Sequence, residues 1–104
     1  MTTTTFIAIL DLSVSAADRP VALAHLLAQR PVIEAMPGCV AFRPFPAPGR
    51  DTDITVLHEW TSRAAFDDYL ASGAFVGSGA ILRPMRTGPA SSRRFAVELV
   101  DTAG

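Results

Sequence analysis

The chain has no lysine; all nine basic residues are arginine. That excludes Schiff-base chemistry and any other mechanism that needs a lysine amine. An all-arginine set is what coding bias in a GC-rich genome produces. The single cysteine, Cys39, rules out an internal disulfide and a cysteine-built zinc site, and it suits a reducing compartment. Cys39 opens a strand and reads as a small inert apolar residue. The two histidines, His25 and His58, lack the H-x-x-x-H spacing of a metal-binding helix, so no metal is expected. Glycines 73, 77 and 79 neither follow a strand nor precede a GK[ST] triplet, which argues against a phosphate loop. No apolar run approaches the length of a membrane span. A net charge of −1 gives no electrostatic reason to expect nucleic acid or an anionic membrane as partner. The start, Met1–Thr5, has neither a positive charge nor a cleavage-type signal, so a cytoplasmic location is the expectation.

Hydrophobic residues make up 49% of the chain and charged residues 18%, the balance of a globular protein. Its length supports one domain, residues 1–104, with one two-layer core. Phe6–Val14 reads as a strand with apolar residues on both faces: Phe6, Ala8, Leu10 and Leu12 on one, Ile7 and Ile9 on the other. Asp18 is the expected N-cap of a helix over 19–36, with Pro20 tolerated in its first turn and Pro31 expected to kink or restart it. Pro37-Gly38 ends that helix. Cys39–Phe45 is a second strand, and Pro44 within it predicts a sheet edge. Asp53–Trp60 is a third strand. Thr61 or Ser62 caps a second helix over Ala64–Ala71, and the glycines after it predict no more than a short helical turn over Phe75–Leu82. Arg93–Val100 is the last strand.

The order β-α-β-β-α-β predicts an α+β, ferredoxin-like fold: one antiparallel sheet with both helices on one face, placed there by right-handed crossovers. The other face would carry side chains drawn from Ile7, Ile9, Val40, Phe42, Leu57, Ala96 and Val100. An apolar patch of that size calls for a cover, most simply a second copy packed sheet to sheet.

The chemistry-bearing residues concentrate in Asp53–Phe75. Alternation along the third strand puts Ile54, Val56, His58 and Trp60 on one face. His58, with a reference pKa near 6.5, is a candidate general base, or else a buried imidazole satisfied by a neighbour. Trp60 offers a flat wall to an aromatic ligand and also suits a core position. Tyr69, three residues after Phe66, shares its helix face; its hydroxyl could hold a substrate oxygen or reach solvent. Arg83 and Arg86 flank Pro84 and could meet an anionic group. His25, off the apolar stripe of the first helix, is expected at the surface. Asp67 and Asp68 are adjacent on a helix and diverge, so they form no acid–base pair.

Pro37-Gly38-Cys39 with Phe42, then Glu59-Trp60 followed by Ser62, then Ala65, Ser72 and Phe75, resembles the antibiotic biosynthesis monooxygenase family over nearly the whole chain. The resemblance implies a dimeric α/β barrel with Trp60 facing a cavity between sheet and helices, and by strand parity His58 would line it too. Some members oxidise polycyclic phenols to quinones with O₂ and neither metal nor flavin, and others degrade haem. The chain departs from the catalytic patterns: the Asn expected four before the Trp is Val56, the Tyr six after it is Phe66, and the His nine after it is Tyr69. No Asn exists to serve as a haem degrader's first-strand residue. The implied function is a cofactor-independent monooxygenase-like homodimer acting on a small aromatic or polycyclic phenol. His58 and Trp60 would be catalytic, and Val56, Phe66, Tyr69, Phe75 and Arg83 would bind substrate. The alternatives are a non-catalytic dimer holding a hydrophobic metabolite and a haem-degrading monooxygenase.

Overall fold

The computed structural model describes residues 3–104. Met1 and Thr2, which belong to the start considered for a targeting signal, lie outside the described residues. Strands β1 (Thr3–Ser13), β2 (Cys39–Pro46), β3 (Asp53–Trp60) and β4 (Ser91–Leu99) form one antiparallel sheet in the order β2-β3-β1-β4. Helices α1 (Arg19–Glu34), α2 (Arg63–Leu70) and α3 (Gly73–Leu82) connect them, with a short 3-10 helix at Arg83–Met85. This is the ferredoxin-like α+β arrangement, carrying one more helix than the sequence predicts.

β1 begins earlier than expected because the β-branched Thr3–Thr5 pair with Val97–Leu99. Asp18 holds the N-cap position of α1 but makes no side-chain cap bond. The helix runs through Pro31 without restarting. β2 is an edge strand, as Pro44 predicts, and a register shift between Cys39 and Ala41 bends its start. Gly38, at φ +83°, makes the turn into β2, and its carbonyl accepts the Thr61 N–H at 2.8 Å. A Cβ there would lie 2.5 Å from that of Ala65. Only glycine lets this turn touch α2. Ser62 caps α2, its hydroxyl accepting the Ala65 N–H at 3.1 Å.

The main departure is α3, a full helix where the glycines predicted a single turn. Ser72 supplies its cap, accepting the Phe75 N–H at 3.2 Å, and packing of the helix against α1 and α2 offsets the weak propensity of three glycines. No helix among the described residues is long and apolar enough to cross a membrane.

The core lies between the sheet and the helices. Ala8, Ile54, Val56, Trp60 and Phe66 are almost wholly excluded from solvent. Phe42 belongs to this layer and not to the open face. On the open face Ile7 pairs with Phe95 and Ile9 with Leu57, while Phe45 and Val40 add further exposed apolar surface.

Candidate functional site

β3 alternates as expected: Ile54, Val56, His58 and Trp60 are buried under the helices. Between that face and α1, α2 and α3 lies a cavity of about 180 Å³. β1 contributes Leu10 and Leu12, β2 Phe42, β3 Val56 and His58, and α2 Tyr69. The far wall is α3 with the 3-10 turn after it: Phe75, Ser78, Gly79, Leu82, Arg83 and Arg86. The cavity is thus apolar over most of its lining, with a few polar groups, the composition of a small-molecule site.

Of the residues singled out from sequence, Val56, His58, Tyr69, Phe75 and Arg83 line this cavity together. Trp60 and Phe66 do not. They form the layer behind His58: Phe66 stands 5.5 Å from the imidazole, ring centre to ring centre, and Trp60 stacks on Tyr69 at 5.2 Å. Tyr69 is buried, not solvent-facing, and burial pushes its hydroxyl pKa up to about 12. It is therefore a neutral phenol at any physiological pH.

Trp60 acts on the cavity through a hydrogen bond. Its indole Nε1–H donates to Nδ1 of His58 at 2.9 Å, within the buried layer. An indole nitrogen can only donate, so Nδ1 must be the unprotonated nitrogen and Nε2 must carry the proton. Burial, and after it the positive charge of Arg94, lower the His58 pKa to about 4. The imidazole is thus neutral near pH 7, with one nitrogen committed to Trp60 and the other presenting an N–H. Among the described residues nothing accepts from that N–H. In this tautomer His58 is a hydrogen-bond donor. The base role expected from its reference pKa would require the other tautomer, which sets an Nδ1–H against the indole N–H.

His25 is not a free surface residue. Its Nε2 lies 2.6 Å from the hydroxyl of the buried, cavity-lining Ser78. The sequence offered no signal for this pair, because it depends on α3 being a helix that packs on α1. Among the described residues no three His, Cys, Asp or Glu side chains gather as metal ligands. Cys39 is half-buried and free; burial, and then the Glu34 charge, raise its thiol pKa.

The family model for antibiotic biosynthesis monooxygenases matches residues 5–77. The chain belongs to the antibiotic biosynthesis monooxygenase family. No curated protein matches it in sequence. Solved structures share its fold at low identity. Rv0793 from Mycobacterium tuberculosis superposes with TM-score 0.82 at 19% identity, covering 96% of this chain and 99% of that one. A Deinococcus radiodurans protein named for the antibiotic biosynthesis monooxygenases gives 0.85 at 17% identity, covering 95% and 99%. A similarly named protein from Nitrosomonas europaea gives 0.86 at 11%, covering 95% and 94%. The matched segment of the antibiotic biosynthesis monooxygenase domain runs from β1 into α3. It contains His58, Trp60 and Tyr69 and stops short of Ser78, Arg83 and Arg86.

Proposed function

We propose that this protein is a monooxygenase-like enzyme that oxidises a small phenolic aromatic to a quinone with O₂, the substrate itself supplying the electrons. One oxygen atom enters the ring carbon para to the hydroxyl. The hydrogens of that C–H and of the O–H leave with the second oxygen atom as water. The hydrogen bond from Trp60 to His58 carries this reading, because it leaves a residue that lines an aromatic-walled cavity with a fixed, neutral N–H donor. A neutral imidazole held this way stabilises an oxyanion without giving up its proton. His58 would hold the substrate as phenolate, its proton having passed to solvent, and an electron-rich phenolate is the form that reacts with O₂. Trp60 positions the imidazole. Phe42, Tyr69 and Phe75 supply aromatic walls for the ring, and Val56 adds apolar lining.

Size narrows the substrate. A dry cavity of about 150 Å³ takes benzene. The cavity here, about 180 Å³ and open at one side, suits one or two rings better than a tetracycle. The reading includes a homodimer, with a second copy covering the open sheet face, and a cytoplasmic setting in which Cys39 stays a free thiol.

The test is oxygen uptake with 1-naphthol, which should consume one O₂ per 1,4-naphthoquinone formed. His58→Phe should lower the rate about 10²–10³-fold, the worth of one oxyanion donor. His58→Gln keeps an N–H and should recover most of that loss. If Gln is as inactive as Phe, the imidazole works as a base and the donor role is wrong. If 1-naphthol raises the melting temperature but no oxygen is consumed, the protein is a binder and not an oxygenase.

A further inference from the structure

The cavity lining carries uncompensated positive charge. Arg83 and Arg86 both belong to it, and no carboxylate does. The ion pairs among the described residues involve Arg30, Arg63 and Arg93, not these two. The Nε of Arg86 is buried and has no hydrogen-bond partner there. Proteins rarely leave a buried guanidinium nitrogen unpaired, because its lost hydration is then unreplaced. The backbone brings the two side chains together. A 3-10 helix has three residues per turn, so positions 83 and 86, on either side of Pro84, fall on one side of it. Arg83 extends back over α3, its Nη2 lying 3.6 Å from where a Cβ on Gly79 would be. Arg86 is anchored at its own backbone by an isolated bridge to Val14 and by its N–H to the Leu82 carbonyl at 3.2 Å. Next to them, the Ser78 hydroxyl is held by His25 and can donate when His25 donates to it.

We infer that the cavity takes an aromatic carboxylate: the ring lies against Tyr69 and Phe42, and the carboxylate is clamped by Arg83 and Arg86 with Ser78 as a further donor. The inference rests on the proposed function only in taking this cavity as the ligand site. Combined with it, the substrate is a hydroxyaryl carboxylate whose phenolic end meets His58 and whose acid end meets the arginines. The clamp lies beyond residues 5–77, the segment matched by the family model.

Calorimetry with the full-length protein tests it, using 2-naphthoate and its neutral near-isostere 2-naphthamide. The carboxylate should bind about 10–100-fold more tightly, the usual worth of charge-assisted hydrogen bonds over neutral ones. Arg86→Met and Arg83→Met should each remove most of that preference while changing naphthamide affinity little. Should Arg86→Met fail to fold, Arg83→Met and the salt dependence of the unmodified protein decide: naphthoate affinity should fall with added salt and naphthamide affinity should not. Equal affinity for the two probes, binding of neither, or a preference that survives both substitutions would overturn the clamp. None of these results bears on oxygen uptake from 1-naphthol, which lacks a carboxylate, so the two proposals fail separately.

Discussion

Acidification from pH 7 to pH 5 should destabilise this protein through the side chain of His58, and the surroundings of that side chain set the size of the effect. Its imidazole has a pKa of about 4 in the folded state, against 6.5 when freely solvated. Between those values the unfolded chain binds a proton at this position and the folded chain does not. Stability from this residue is therefore fully present above 6.5 and is lost as pH falls toward 4. The whole difference is worth about 3 kcal/mol, of which about 2 kcal/mol should disappear between pH 7 and pH 5. Urea unfolding at several pH values, with the native protein and His58→Gln side by side, isolates the effect, since every other titrating group is common to both. The gap between the two curves should change by about 2 kcal/mol over that interval, the native protein losing more. Parallel curves would mean that the imidazole titrates normally and is not sealed beneath α2 and α3. A direct NMR titration of the His58 ring decides the same question if His58→Gln is too unstable to measure.

Two further outcomes are expected. Gly38→Ala should destabilise by several kcal/mol, through left-handed backbone strain of about 1–3 kcal/mol plus the collision with Ala65, read as a lowered urea midpoint; a loss below about 0.5 kcal/mol would show that the β2 turn has room to relax. Sedimentation at low micromolar concentration should give a mass near twice the monomer, with Leu57→Arg on the open face returning it to one; a monomeric native protein would leave the exposed Phe95 and Leu57 and the half-buried Ile7 between them without the proposed cover.

The strand pattern was readable because a period of two leaves little freedom: once Asp53–Trp60 is a strand, His58 and Val56 must share a face. Parity alone could not say that Trp60 stands behind the cavity. It lies at the end of β3, where α2 rather than α3 covers the sheet, and its contribution reaches the cavity through one hydrogen bond. The helix α3 was hidden for a different reason. Three glycines lower its intrinsic preference, and the packing that offsets them is tertiary. With α3 went the His25–Ser78 pair, which has no signal at the level of residue spacing, whereas Arg83 and Arg86 were readable as a pair flanking Pro84.

The glycines of α3 carry a consequence for how anything enters. Each costs the helix about 1 kcal/mol relative to alanine, so the segment holds its shape mainly by leaning on its neighbours. It forms the outer wall of the cavity. A wall with so little stability of its own is the cheapest part of the molecule to unwind, and local unwinding there would widen the cavity's opening while the sheet stays intact. A ligand of the proposed kind would need no hinged domain to enter. The widening would come from a helix that is only marginally a helix, and an occupant that grips Arg83, Arg86 and Ser78 would pin that wall in place from inside.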